Sequence, residues 1–168
     1  MEQDPRFVFR IMVDIASKAL SPAINDPTNA VLALDQIHHL LMDVGRRRLD
    51  AGQTRDAQGR LRLCYGTPNW PDFVSLAVTE TRHFGANSLQ VARRLRAMLD
   101  HLLRVLPDAR KAALQQELAL LQRAIERNFP DEEDRAHARI GDFQGVGSSE
   151  PSSPRPRTSS EHAPTAPG

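Results

Sequence analysis

Cysteine is almost absent. Cys64 stands alone among 168 residues, so no intrachain disulfide can form and no cysteine-built zinc centre can close within one chain. Aromatic residues supply only 5% of the chain, which leaves Leu, Ala, Val and Ile to fill any core. An excess of one charge is also missing. The 22 basic and 21 acidic residues give a formal net charge of +1, without the positive surplus of a general nucleic-acid binder. Lys18 and Lys111 are the only lysines, so the basic set is almost wholly arginine. No run approaches the roughly 18 consecutive apolar residues of a membrane-spanning helix. The opening "MEQDPRFVFR" has no basic start followed by an apolar stretch, so it does not read as a signal peptide. A phosphate-cradling glycine loop is lacking too: "GDFQGVG" follows the last helical pattern instead of joining a strand to a helix. These absences predict a soluble chain as written, in a reducing compartment, with no cofactor, no metal and no nucleic-acid partner.

Helical patterning is what the chain does have. Hydrophobic residues reach 40%, enough for one modest core. Asp4-Pro5 and Asp26-Pro27 each pair a capping carboxylate with a proline suited to the first helical position. Behind the first pair, Val8, Met12, Ile15, Ala16 and Ala19 predict a helix over 5–20, stopped by Pro22. Behind the second, Ala30, Leu34, Ile37, Leu41 and Val44 form an apolar seam over 27–48. After a polar stretch, "RLRLCY" alternates, which predicts a short strand or half of a hairpin with Leu61, Leu63 and Tyr65 on one face. Helical spacing returns with Phe73, Leu76, Ala77 and Phe84, with Gly85 as terminator. Ser88 caps a periodic helix through Val91, Ala92, Leu95, Met98, Leu99, Leu102 and Leu106. Pro107-Asp108 then turns into another, carrying Leu114, Leu118, Leu121, Ile125 and Phe129, so these two should be antiparallel neighbours. "DEEDRAHARI" adds one or two turns. Beyond Gln144, Gly, Pro, Ser and Thr dominate, and such a segment cannot offset its ordering entropy.

The fold class is therefore mainly α. We expect a bundle of about five helices with one small β-strand or hairpin insertion over 1–142, then a disordered Pro/Ser-rich tail over 143–168. The expected core is Ile15, Leu34, Ile37, Leu41, Phe73, Leu95, Leu99, Leu102, Leu118 and Ile125.

The stretch "QDPRFVFRIMVDIASKALSPAINDPTNAVLALDQIHHLL" resembles the signature region of a bacterial family of predicted membrane proteins, the domain-of-unknown-function family 2254. "VTETRHFGANSLQVARRL" is similar to a later segment of that family, and the likeness covers roughly residues 3–140. Val8 and Ala23 stand where glycines are usual, and Asn29 where a Thr is usual. The resemblance implies transmembrane helices in an N-terminal half that this chain lacks, with the present region as a soluble C-terminal part at the cytoplasmic face of the inner membrane. It also implies a gene start assigned too late or a truncated gene. Translation of the upstream DNA tests that expectation, and an immediate stop without apolar segments would count against it.

Candidate sites centre on "SPAINDP". Asp14, Ser21, Asn25, Asp26 and Thr28, with Arg82, could offer donors and acceptors to a cation, a phosphate or a partner peptide. The plainer reading is that Asp26 caps a helix, Asn25 makes a local turn and Ser21 satisfies backbone groups at the break. Asp35, His39 and Asp43 share four-residue spacing, but His39 falls opposite the apolar seam, so a solvated face outweighs a metal site. Cys64 sits in a predicted strand with no helix start to lower its pKa and reads as a small hydrophobe. Arg46–Arg48 and the Arg93, Arg94, Arg96 group read as solvated faces, with contact to anionic lipid as the alternative. No catalytic residues are assigned. The leading function is a non-catalytic domain acting in oligomerisation or regulation, partnered by the membrane half of its family, an anionic lipid surface or another copy of itself. The alternatives are a ligand- or ion-binding module or enzyme at the corner and, last, a helix-turn-helix whose acidic turn suits DNA poorly.

Overall fold

Proline and capping side chains set where the helices begin. The computed structural model describes residues 5–49, 52–64 and 66–142. Among these it contains α1 (Pro5–Ala19), α2 (Pro27–Arg46), β1 (Gln53–Arg55), β2 (Leu61–Cys64), α3 (Trp70–Gly85), α4 (Leu89–Val105), α5 (Asp108–Asn128) and α6 (Glu132–Ala138). The architecture is mainly α, as the periodicity predicts. The expected cap Asp4, the strand residue Tyr65 and the expected disordered tail lie outside the described residues.

Asp26 caps α2 by accepting a hydrogen bond from the Asn29 amide at 3.0 Å, with Pro27 in the first turn. Asn69 caps α3 reciprocally: its side chain accepts from the Asp72 amide at 3.0 Å, and the Asp72 carboxylate accepts from the Asn69 amide at 2.9 Å. This capping box leaves fewer amides of the first turn without partners. β1 and β2 form an antiparallel hairpin that pairs Gln53 with Cys64, Thr54 with Leu63 and Arg55 with Leu61, with an irregularity between Thr54 and Arg55.

α2 is the central helix, packed on α1, α3 and α4. Three cross-contacts give its direction relative to α4: Asp35 meets Arg94, His38 meets His101, and Gly45 lies against Leu106. Partner numbers rise together, so α2 and α4 run parallel with their C-termini at one end. Arg110 ties that end to the start of α3. Its guanidinium donates to the carbonyls of Gly45 and Arg47, at 3.3 and 3.0 Å, and lies 5.6 Å from the Trp70 ring centre. The Trp70 indole in turn donates to the Arg110 carbonyl at 2.8 Å. α5 follows α4 after Leu106 and Pro107 and packs against it and α3, while α6 closes on α4 and α5.

Leu34, Ile37, Leu41, Phe73, Leu95, Leu99, Leu102 and Ile125 are buried, as the seams predict, and each such side chain stabilises the fold by roughly 1.5–3 kcal/mol. Leu118 is only half-buried. Ile15 and Phe84 correct the expectation, each 47% exposed. On α1 the packed stripe is Phe9, Val13, Ala16 and Ala19, which places the neighbouring stripe of Phe7, Ile11 and Ile15 outward. Phe84 turns out on α3 because Ala77, Val78 and Thr81 face the core. Leu61 is exposed as well, so the face predicted for β2 is not packed there. Gly85 does not terminate α3 from beyond its end. It is the last helical residue, and a Cβ there would lie 2.4 Å from Val91 Cγ1, so the glycine permits the close approach of α4.

Candidate functional site: a groove at the α1–α2 elbow

The elbow is built largely from backbone. The Ser21 carbonyl accepts from the amides of Ile24 and Asn25, at 3.0 and 2.9 Å, and the Asp26 amide donates to the Ala19 carbonyl at 2.8 Å. Asn25 completes the turn with φ of 47°, a left-handed conformation that Asn tolerates better than most residues. The amide side chain of Asn29 donates to Asp26 Oδ2 at 2.6 Å, so both carboxylate oxygens of Asp26 are engaged. The acids and amides of the corner thus tie off chain ends.

The two helices leave an open groove of about 520 Å³ beside that corner. Met12, Ile15, Ile24 and Leu32 give it apolar walls, and Lys18, Asp26, Asn29, Asp35 and Gln36 supply polar points. Phe7, at 63% exposure, and Leu32, at 57%, extend an apolar surface along α1 and α2.

The six sequence candidates are not gathered in this groove. Asp26 lines it. Asp14 lines a separate depression of about 200 Å³ with Arg10, Val13, Leu76 and Glu80. Ser21 serves the elbow through its carbonyl, Asn25 through its backbone angle, and Thr28 is exposed in the first turn of α2. Arg82 faces α5, where its Nε donates to Glu117 Oε2 at 3.1 Å while the Thr79 hydroxyl donates to Oε1 at 3.3 Å.

A buried polar chain under the groove escaped the sequence reading. Arg94 is 1% exposed, which overturns its assignment to a solvated face. Its Nε donates to Asp35 Oδ1 at 2.5 Å, and its Nη2 donates to His38 Nδ1 at 3.0 Å. His38 Nε2 lies 2.8 Å from His101 Nδ1. The tautomers follow from one fact: a guanidinium only donates. His38 must accept at Nδ1 and carry its proton on Nε2. His101 must then accept at Nδ1 and carry its own proton on Nε2. Burial, then the Arg94 charge, pushes the His38 pKa down to about 3, so the ring is neutral at ordinary pH. His101 is lowered in the same way, by burial first and by Arg104, Arg94 and Arg46 after it. The sequence pattern offered a signal: Arg94 sits between Ala92 and Leu95 on a strongly amphipathic helix, and Asp35 and His38 flank the α2 seam. Because α2 is covered by three helices, its buried arc is wide enough to enclose both.

Chemically, the groove's carboxylates are already occupied, Asp26 by Asn29 and Asp35 by Arg94. The site is therefore suited to covering an apolar surface and less to proton transfer. Among the described residues, no group of three or more His, Cys, Asp or Glu could hold a metal ion.

Residues 1–101 match the model of a family described as predicted membrane protein DUF2254. The chain belongs to this family. Similar proteins include uncharacterised proteins of Mycobacterium tuberculosis and Mycobacterium bovis, 34% identical over 137 residues, which is 81% of this chain and 26% of theirs. The chain thus spans about a quarter of the length of the curated relatives it matches. No solved structure matches it. Among the described residues, no helix is long and apolar enough to cross a membrane.

Proposed function

We propose that this region is a non-catalytic helical domain of a membrane-protein family, acting in oligomerisation or regulation through the apolar face of α1 and α2. One observation carries the reading. Ile15, Ile24 and Leu32, all large, apolar and exposed, line the groove beside the elbow, and Phe7 and Ile11 are exposed farther back along α1; clustered exposure of this kind marks interaction surfaces. The occupied carboxylates of Asp26 and Asp35 support a binding role over a reactive one. The family resemblance and the arginine run Arg46–Arg48 at the C-terminal end of α2 support a position at the cytoplasmic face of the inner membrane.

Size-exclusion chromatography with light scattering tests the proposal. The chain self-associates, and Ile15→Asp with Leu32→Asp returns it to monomer without loss of helical circular dichroism. A strict monomer at every concentration contradicts it.

A second reading has the groove as its own support: a volume of about 520 Å³ with apolar walls and few polar points suits a small ligand. A thermal-shift panel of divalent ions, nucleotides and phosphates separates the two, since only a ligand site raises the melting temperature.

A further inference from the structure

The parallel run of α2 and α4 brings both C-termini to one end of the molecule, and cations collect there. Arg46, Arg47 and Arg48 are consecutive and exposed, and Arg104 is exposed in the last turn of α4. A helix C-terminus carries partial negative charge, which favours a cation in the last turn of each helix, here Arg46 and Arg104. Arg47 and Arg48 lie beyond that turn. Among the described residues no carboxylate pairs with Arg46, Arg47 or Arg48. Asp100 and Asp108 are held elsewhere, by Arg96 and Lys111, each at 2.7 Å.

The buried polar chain adds a directed neutral donor at this end. With His101 Nδ1 accepting from His38, the ring proton of half-buried His101 sits on Nε2, on the far side of the ring from the core. The charges of Arg46 and Arg104 both act on that ring. Val105 stands exposed beside Arg104, an apolar side chain at the same end.

We infer that this end of the α2–α4 pair docks phosphate-bearing anions, with Arg46, Arg47 and Arg48 as cations and the His101 Nε2–H as a neutral donor. The source is anionic lipid headgroups. A bilayer offers many phosphates to three arginines at once and an apolar layer to Val105, whereas a free phosphate offers neither. The three arginines lie about ten residues along α2 from the groove, roughly 15 Å at about 1.5 Å per residue, so failure of their charge reversal to weaken lipid binding leaves the proposed self-association standing.

Flotation of the full chain with phosphatidylcholine vesicles, with and without phosphatidylserine, tests the inference. Inorganic phosphate in the absence of vesicles forms a second arm, read by the ¹⁵N shift of His101. The chain floats only with the anionic vesicles, and high salt releases it. Arg46→Glu/Arg47→Glu/Arg48→Glu weakens binding on the order of a hundredfold. Arg10→Glu/Arg123→Glu/Arg127→Glu, an equal charge change on other surfaces, leaves most of it. A His101 response to free phosphate that the first triple variant abolishes, without flotation, keeps the anion site but transfers it to a soluble ligand. Equal flotation of both triple variants, or neither flotation nor a phosphate response in the wild type, overturns the inference.

Discussion

At the residue scale, the decisive side chain is Arg94. A guanidinium with 1% exposure, held by one carboxylate and one imidazole, links α4 to α2. Removing one member of a buried pair is costly because the survivor stays charged and desolvated. Arg94→Met should lower unfolding free energy in urea by about 3–5 kcal/mol, and Arg94→Met with Asp35→Leu should recover most of it. A loss within the noise of the measurement would mean that the pair is open to water. His38 makes a second expectation. The unfolded chain takes up a proton at the ordinary value of 6.5, while the folded ring resists until about 3. Folding stability therefore falls as pH drops from 6.5 toward 3, and His101 acts in the same direction. Melting temperatures across that window should drop less steeply in His38→Leu than in the wild type; parallel curves would contradict the neutral relay.

At the element scale, local signals were the most legible. Asp26-Pro27, Pro22 and Pro107-Asp108 mark boundaries that agree with α1, α2, α4 and α5, because capping and proline chemistry act within a few residues. Apolar spacing located the α2 and α4 seams for the same reason. It misjudged Ile15 and Phe84, since spacing identifies a stripe without saying which of two adjacent stripes a neighbour covers. It missed Arg94 and Asp35 because their burial depends on three helices meeting α2, a long-range fact. The elbow itself supplies a test of local chemistry. Asp26→Ala should cost about 0.5–2 kcal/mol through the lost cap. Asn25→Val should cost about 1–2 kcal/mol because a β-branched residue resists the left-handed angle. Chemical denaturation reads both, and neutral outcomes would mean that the elbow is held by packing alone.

For the whole molecule, the candidate site was half legible. "SPAINDP" was recognisable as the corner, and Asp26 does line the groove beside it. Asp14 and Arg82 were not separable from it by sequence, because only the packing of α1 and α5 against α3 sends them to other surfaces. What the fold leaves uncovered is the face running from Phe7 through Ile15 to Leu32. The bundle buries Leu, Ile and Val throughout its centre yet exposes this stripe, and the proposed partner surface rests on that contrast.

Maleimide labelling of Leu32→Cys, in a Cys64→Ser background and across a dilution series, tests that claim most directly. Gln115→Cys, on an exposed position of α5, serves as the reference. The account predicts that labelling at position 32 slows as concentration rises while position 115 keeps a constant rate; equal, concentration-independent rates at both positions would contradict it.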